Sequence, residues 1–375
     1  MVTIIIPVYN AAEHLADTIK SIQNQVYSNW TLVLVDDCSI DQSLDICNRF
    51  ANDDARIKIL KNAKNSGPAV TRNNGIEYAI SIKSEYIGFV DSDDLVSPYY
   101  LEKMVSVAEE HNADIVWCNY WEYNYWDATS KHLMSHGLTA NKDVDGVELL
   151  HLFFGSSTGL GSLCNKLYKV EFVTHYGVRI NPERVRAEDW EFNLTLFQKG
   201  PKVTPIEDAL YNYIHYTKRS VMSTYRPNDY EMFWRSRTLL KKMASDNNIV
   251  FDREKEDSTL LYHIINQLQI LSMADNVKDK NHYFQMIIND SRLHDLLKNG
   301  CWKYKALPHT FKVAALLLNI GCVTLLKYYL RIRYMIMGKR LAHIDLLKGI
   351  GIILVLLGHL PINGIMHMLI CKQSN

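Results

Sequence analysis

An α/β fold with a mostly parallel central sheet, followed by a helical C-terminal region, is predicted by three observations. Short β-prone runs alternate with amphipathic, helix-period segments through the first 118 residues, the pattern of a parallel sheet covered by helices on both faces. Three of the runs end in polar or acidic loops, at Tyr9-Asn10, Asp36-Asp37 and Asp91–Asp94, and all three loops would share the edge of the sheet where open α/β folds bind ligands. Beyond Tyr216 the β signal fades and residues 228–247, 257–275 and 280–298 follow helical periodicity.

Taken in order, Val2–Ile6 is a buried strand stopped by Pro7, because proline cannot donate to a ladder. The segment Met1–Pro7 has neither a basic leader nor an apolar h-region and is expected to be a strand, not a signal peptide. Leu15, Ile19 and Ile22 fall at helical spacing, predicting a helix over 11–24. Thr31–Val35 is the next strand, followed by a helix over 42–51 with Asp41 as N-cap, and Ile57–Leu60 is the third strand. Asn65-Ser66-Gly67-Pro68 is a turn into a helix over 69–82, Tyr86–Val90 is a strand, 98–111 is a helix and Asp114–Cys118 is a strand. The aromatic stretch after Asn119, with Tyr120, Trp121, Tyr123, Tyr125 and Trp126, reads as a hairpin or edge extension packing on the core. Helices are expected over 145–155 and 187–198, a Gly/Ser-rich flexible loop over Gly155–Gly161, and a further helix after Leu163–Tyr168.

Among the strand ends, Asp91-Ser92-Asp93-Asp94 is the most charged. Three carboxylates within four positions repel one another unless a positive group sits among them, and a divalent cation with oxygen ligands would serve. The same residues also suit an acidic turn in which Asp94 or Ser97 caps the helix opened by Pro98.

Composition narrows the class. The 375 residues allow more than one domain, and 47% apolar with 22% charged residues describe a globular chain. The formal net charge of zero gives no general case for nucleic-acid binding. Seven widely spaced cysteines without a CxxC pair argue against a disulfide framework or zinc site and for a reducing compartment. Neither GxGxxG nor GxxxxGK[ST] occurs, so no Rossmann dinucleotide site or P-loop is indicated. From Cys301 to Ile344 there are eight Lys or Arg and no acid, including Lys327, Arg331, Arg333, Lys339 and Arg340. That segment suits either an interfacial helix on an anionic membrane or a packed helical hairpin with a solvated basic rim. Val313–Leu326 is uncharged but too short to span a bilayer, whereas Gly349–Cys371 offers 23 residues without Asp, Glu, Lys or Arg. Basic residues before that stretch place its start on the cytoplasmic side.

Together the motifs resemble family 2 glycosyltransferases of the GT-A fold. The matching pieces are Ile4–Asn10, Val35–Asp41, Asn65-Ser66-Gly67 with Thr71-Arg72-Asn73, Phe89–Asp94, Asn165–Tyr168 and Glu188-Asp189, in the family's order over about 1–220. The family usually has Gly where this chain has Cys38, which implies a stiffer turn. The resemblance implies an inverting, metal-dependent transfer of a sugar from a nucleotide-sugar, a UDP-sugar first among candidates, to a hydroxyl acceptor. It implies a Mn²⁺ or Mg²⁺ cofactor and a glycan or lipid-linked acceptor in surface polysaccharide synthesis. It places the protein at the cytoplasmic face of a bacterial inner membrane, peripheral or C-terminally anchored. Carried over by position, Pro7, Tyr9, Asp36 and Asp37 line the nucleoside pocket, with Asp37 at the base edge, and Arg72 lies near the nucleotide. Asp91, Asp93 and Asp94 match the metal and ribose motif, and Asp189 matches the catalytic base, kept ionised by a helix N-terminus. His215, Lys218 or Arg219 would close over the diphosphate, or are ordinary surface charge, and Lys166 is either a structural contact or a site residue.

The stretch Arg340–Ile350 through Val355–His359 is similar to the start of an acyltransferase-3 membrane protein, too short for acyl transfer. The expected domains are therefore a catalytic domain over 1–220, a helical accessory region over 221–300, a basic amphipathic segment over 301–340 and an acyltransferase-like remnant over 341–375. A nucleotidyltransferase is the enzyme alternative, disfavoured because the loop after the first strand, Pro7–Ala12, has neither Gly nor Arg/Lys. A non-catalytic sugar-nucleotide-binding protein would be expected to lack a carboxylate at 189 or within 91–94, and all are present.

Overall fold

The computed structural model describes residues 1–155, 161–184, 187–216, 226, 228–250, 252–273, 278–300, 304–305 and 307–337. Lys218, Arg219, part of the Gly155–Gly161 loop and the acyltransferase-like stretch, His359 included, lie outside the described residues. The chain divides into two compact units, Met1–Ser220 with Lys241–Val250, and Val221–Leu240 with Phe251–Asn375.

The first unit is built on β1 (Val2–Val8), α1 (Leu15–Gln23), β2 (Trp30–Asp36), α2 (Ser43–Asp53), β3 (Ile57–Lys61), α3 (Gly67–Ser81) and β4 (Tyr86–Phe89). Then come β5 (Leu95–Val96), α4 (Tyr100–His111), β6 (Ile115–Asn124), β7 (Asp127–Met134), β8 (Val144–Asp145) and α5 (Gly146–Gly155). It ends with β9 (Lys166–Lys169), α6 (Val170–His175), α7 (Glu188–Phe197) and β10 (Lys202–His215). The strands form one sheet in the order β3-β2-β1-β4-β9-β6-β10-β5, with β7 beside β6 and β8 beside β10. The β3-β2-β1-β4 block and the β6–β10 pair are parallel. Antiparallel β9 joins the two blocks by pairing with both β4 and β6.

Strand β1 lies at the centre of the parallel block. Val2, Ile4, Ile5, Ile6 and Val8 are wholly buried, as expected of a continuous β-branched run covered on both faces. Helix α3 crosses β1 so closely that a side chain at Gly75 would run into Ile5. That close approach explains a glycine inside a helix, where it is otherwise unfavourable, and it fixes the turn of α3 carrying Arg72. Strand β4 stops at Phe89, level with Ile5 of β1, so Asp91 emerges at the carboxyl edge of the sheet, the edge that also carries Tyr9 and Asp37.

Three expectations needed revision. The segment after the Gly/Ser loop does precede a helix, α6, but it is itself an unforeseen strand, β9. Lys166, Leu167 and Tyr168 are buried in succession, which removes the alternation that marks a half-exposed strand. The 14-residue strand β10 was not foreseen, because Pro205, Glu207 and Asp208 interrupt its pattern. Pro205 pairs in register with Trp117, and register shifts between Ile206 and Tyr211 absorb Glu207 and Asp208 as a bulge. The helix expected over 280–298 is two helices, because the Asp290 side chain accepts the Arg292 N–H and starts a new N-terminus. The aromatic stretch does form the β6–β7 hairpin, but unevenly. Tyr120, Trp121 and Tyr123 are half-buried, while Tyr125 and Trp126 at the tip are 71% and 47% exposed.

The second unit is helical: α8 (Asp229–Asp246) as far as Leu240, α9 (Arg253–Met273), α10 (Lys280–Ile288), α11 (Ser291–Lys298), α12 (His309–Asn319) and α13 (Val323–Met337). Its core gathers Leu261, Ile264, Ile265 and Leu268 of α9 with Phe311 and Ala314 of α12 and Leu326 and Leu330 of α13. Within the expected basic segment, Arg333 is buried, bonded to Gln269 and stacked on Phe311, and Lys327 lies over the Phe284 ring. The apolar stripe of α13 is thus used inside its own unit, which is the packed-hairpin arrangement. Among the described residues no helix is long and apolar enough to cross a membrane.

Candidate active site

The loops after β1 and β2 are bound to each other. Asn10 Oδ1 accepts the Ile40 N–H at 2.9 Å, Ser43 Oγ accepts the Ala11 N–H at 2.8 Å, and Asp41 accepts from Ala12. Asn10 and Cys38 hold φ of 49° and 60°, the left-handed region that side chains generally avoid. The turn therefore has the backbone of a glycine turn with a cysteine in it, and Cys38 Sγ rests on the Asn62 carbonyl at 3.1 Å.

Pro7, Tyr9, Asp36 and Asp37 stand together at this edge. Tyr9 is 49% exposed, while both acids are buried. Asp37 accepts three hydrogen bonds, from Asn62 Nδ2 at 2.7 Å and from the Ser66 and Gly67 N–H groups at 2.8 Å each. It compensates the N-terminus of α3 and ties β2 to it. Asp36 Oδ1 takes the Ser39 N–H, and its Oδ2 is buried without a hydrogen-bond partner.

A few residues along the edge, Arg72, Asp91, Asp94 and Asp189 converge on one pocket of about 240 Å³, which Tyr120, Tyr213 and the Ser162–Cys164 segment complete. The positive group that the acids require is already in the chain. Arg72 donates to Asp91 Oδ1 at 2.7 Å and to Glu188 Oε1 at 3.0 Å. Burial opposes charge on Arg72, but Asp91 and Glu188 outweigh it and hold the guanidinium firmly protonated.

Asp94 is anchored rather than free. Tyr211 Oη donates to its Oδ2 at 2.5 Å, and the Ile214 N–H donates to its Oδ1 at 2.9 Å. The same Tyr211 hydroxyl accepts the Asp91 N–H at 3.2 Å, so one side chain pins both ends of the Asp91–Asp94 turn. Burial, and then the charges of Asp91 and Asp93, raise Asp94 well above the usual carboxylate range. Asp93 is also raised, by burial and then Asp91, and it faces His14 and His215 outside the pocket lining. His215 is itself paired with Glu122 at 2.8 Å.

Asp189 lies in the first turn of α7, where its Oδ1 accepts the Trp190 N–H at 2.7 Å. The expectation that the helix N-terminus governs this carboxyl is only half the physics. Burial, followed by Glu188, pushes it up to about 6, against the pull of the Trp190 N–H and Arg72. A carboxylate so tuned is mostly ionised at neutral pH yet basic enough to accept a proton.

Residues 3–172 match the Glycosyl transferase family 2 domain. Over that stretch the chain resembles family 2 glycosyltransferases. It is similar to glycosyltransferase GlyG of Streptococcus pneumoniae, 29% identical over 217 residues, 58% of this chain and 60% of GlyG. It is also similar to cholesterol galactosyltransferase of Borreliella burgdorferi, 29% identical over 297 residues, 75% of this chain and 79% of the relative. The chain thus spans about 60% of the length of relatives such as GlyG and the Bacillus subtilis glycosyltransferase EpsJ. Its fold is that of the crystal structure of S. aureus TarS 1-349 in complex with UDP, with a TM-score of 0.56 at 18% identity, covering 89% of this chain and 91% of that one. The central sheet with its helical C-terminal region is GT-A-like.

The family 2 domain match ends at residue 172, short of Asp189, Tyr211 and Tyr213. Sequence motifs brought Asp91, Asp94, Arg72 and Asp189 forward, and the fold assembles them. Sequence reasoning missed the roles of Tyr211, which it saw only as part of a segment ending the domain, and of Asn193. A polar residue four positions after Asp189 on the same helix face was the available signal for Asn193.

Proposed function

We propose that this chain is an inverting glycosyltransferase that moves a sugar from a nucleotide-sugar to a hydroxyl acceptor during synthesis of a surface polysaccharide or lipid-linked glycan. The observation that carries the reading is the convergence of Asp91, Asp94, Arg72 and Asp189 on one pocket at the carboxyl edge of the sheet. The donor we propose is a UDP-sugar; TarS, whose fold this chain shares, was crystallised in complex with UDP and with UDP-GlcNAc.

In this reading Asp189 takes the proton of the acceptor hydroxyl as the new bond forms. One base opposite one leaving group gives a single displacement and inversion. Arg72 holds Asp91 and Glu188 in place, so the donor side and the base side of the pocket keep a fixed separation. Tyr9 and Pro7, at the exposed end of β1, would border the nucleoside. Asp37 acts through α3, which it anchors, rather than by direct contact with a base.

Mn²⁺ or Mg²⁺ is part of the proposal, and the residues fit it in chemistry. Asp91, Asp93 and Asp94 offer hard oxygen donors, and Asp93 and Asp94 are raised first by burial and then by their acidic neighbours. Among the described residues no three such side chains are arranged as a complete metal cage, so the donor's phosphates would supply the remaining ligands. Asp93 would be the foremost protein ligand, since Asp91 is held by Arg72 and Asp94 by Tyr211 and Ile214, and the ion would offset charge on the departing diphosphate.

The test is a thermal-shift screen of UDP-, GDP- and dTDP-sugars with and without Mn²⁺. A UDP-sugar with Mn²⁺ should raise the melting temperature, since ligand at about 100 times its Kd contributes about 2.7 kcal/mol. No shift with any donor would contradict the proposal, and an equal shift without metal would remove the ion from it.

A further inference from the structure

Lys166 has no direct place in the chemistry above, yet it is completely buried. A buried ammonium is costly unless its donors are met. Here Nζ donates to the Ser162 carbonyl at 2.6 Å and to Asn165 Oδ1 at 3.0 Å, and it lies 4.5 Å from the centre of the Trp117 ring. The Ser162 carbonyl accepts a second donor, Asn193 Nδ2 at 3.1 Å, which also reaches the Gly161 carbonyl at 2.8 Å. Asn193, itself wholly buried, accepts the Tyr168 hydroxyl at 2.8 Å. It stands on α7, one turn after Asp189.

We infer that Lys166 and Asn193 form a positioning device, in which two buried donors grip the Ser162 carbonyl and lock the Ser162–Cys164 wall of the pocket to the helix that carries Asp189. Strand β9 supplies one donor and helix α7 the other, so the wall and the base keep one geometry. A charged lysine suits this position because its charge, as well as its hydrogen bonds, acts on the pocket. Lys166 and Asp189 stabilise each other's ionised forms, although burial draws the ammonium down to about 7. The other titratable groups facing Asp189 are Glu188 on its own helix, Arg72 from α3 and Asp91 from the loop after β4; those facing Lys166 are His136 and the Cys118 and Cys164 thiols, which burial pushes up and keeps neutral.

The inference rests on the glycosyl-transfer reading for its kinetic part and has an independent readout in Cys164. That thiol is 6% exposed and belongs to the gripped wall. The experiment compares wild type with Lys166→Met and Lys166→Arg, measuring melting temperature, thiol labelling by peptide mapping, and kcat and KM across pH. Lys166→Met exchanges a buried ion for an apolar chain of similar length, a change that is often neutral or stabilising to a fold. The expected result is an unchanged or raised melting temperature, Cys164 labelling faster by tenfold or more relative to buried Cys47, and kcat reduced by tenfold or more with donor affinity held. The acid limb of the pH profile should move upward in Lys166→Met and stay in place in Lys166→Arg. Cys164 labelling and kcat both at wild-type levels in Lys166→Met would overturn the inference. So would a lowered melting temperature with kcat per folded molecule intact, which marks a merely structural lysine. Absence of transfer by the wild type with any donor would instead refute the glycosyl-transfer reading, and Cys164 labelling would then decide the positioning inference alone.

Discussion

Asp189 is where opposing influences on a single residue can be weighed. The Trp190 N–H and Arg72 favour its anion, while burial and Glu188 disfavour it, and the second pair prevails to leave the carboxyl at about 6. Transfer that depends on the ionised base should therefore rise with pH and reach half its plateau near pH 6. At pH 5 it should be about tenfold below the plateau, one pH unit corresponding to about 1.4 kcal/mol. Stability runs the other way. The folded value lies above the ordinary 3.8, so the folded state binds the proton more tightly, and this contribution is complete below 3.8 and lost as pH rises through about 6. Asp189→Asn should then melt higher than wild type at pH 7.5, by about 1–2 kcal/mol after allowance for solvent screening. A flat profile from pH 5 to 8 would contradict the assignment. Tyr211 illustrates what residue-level reading of the sequence leaves hidden. Its hydroxyl meets Asp94 and the Asp91 backbone, more than a hundred positions away, a contact that only the sheet order creates.

At the scale of the element, the turn between β2 and α2 shows a local rule broken beside the site. Cys38 occupies a φ of 60°, which costs about 1–2 kcal/mol for a residue with a Cβ. Cys38→Gly relieves that strain but adds freedom to the unfolded chain, for an expected net stabilisation of about 0.5–1 kcal/mol in chemical denaturation. A loss of more than about 1 kcal/mol would mean that the contact of Cys38 Sγ with the Asn62 carbonyl outweighs the strain. Elements were legible in the sequence where periodicity and burial agreed. Buried β1, with its β-branched run, and amphipathic α1, with Leu15, Ile19 and Ile22 all buried, are examples. Legibility failed at β10, where Pro205 and a bulge carrying two acids interrupt the pattern, and at β9, which is buried on both faces. Strand β9 also brings an antiparallel pairing that a count of alternating strands and helices does not reveal.

For the whole molecule, the order of motifs anticipated the match to the family 2 domain and the GT-A-like sheet. The joining of Asp91 to Glu188 through Arg72 needed three dimensions, since it depends on how closely α3 crosses β1 at Gly75 and on where β4 ends. The acidic cluster was read as a demand for positive charge, and Arg72 meets part of that demand from within the chain. The central claim is that this assembled pocket transfers a sugar with Asp189 as its base. The most direct measurement sets sugar transfer by wild type and Asp189→Asn beside calorimetric binding of the same UDP-sugar. Transfer should fall by a factor of about 100 or more, within the range typical of a lost general base, while the donor Kd changes less than about threefold. Retained turnover in Asp189→Asn, with donor binding intact, would contradict the claim.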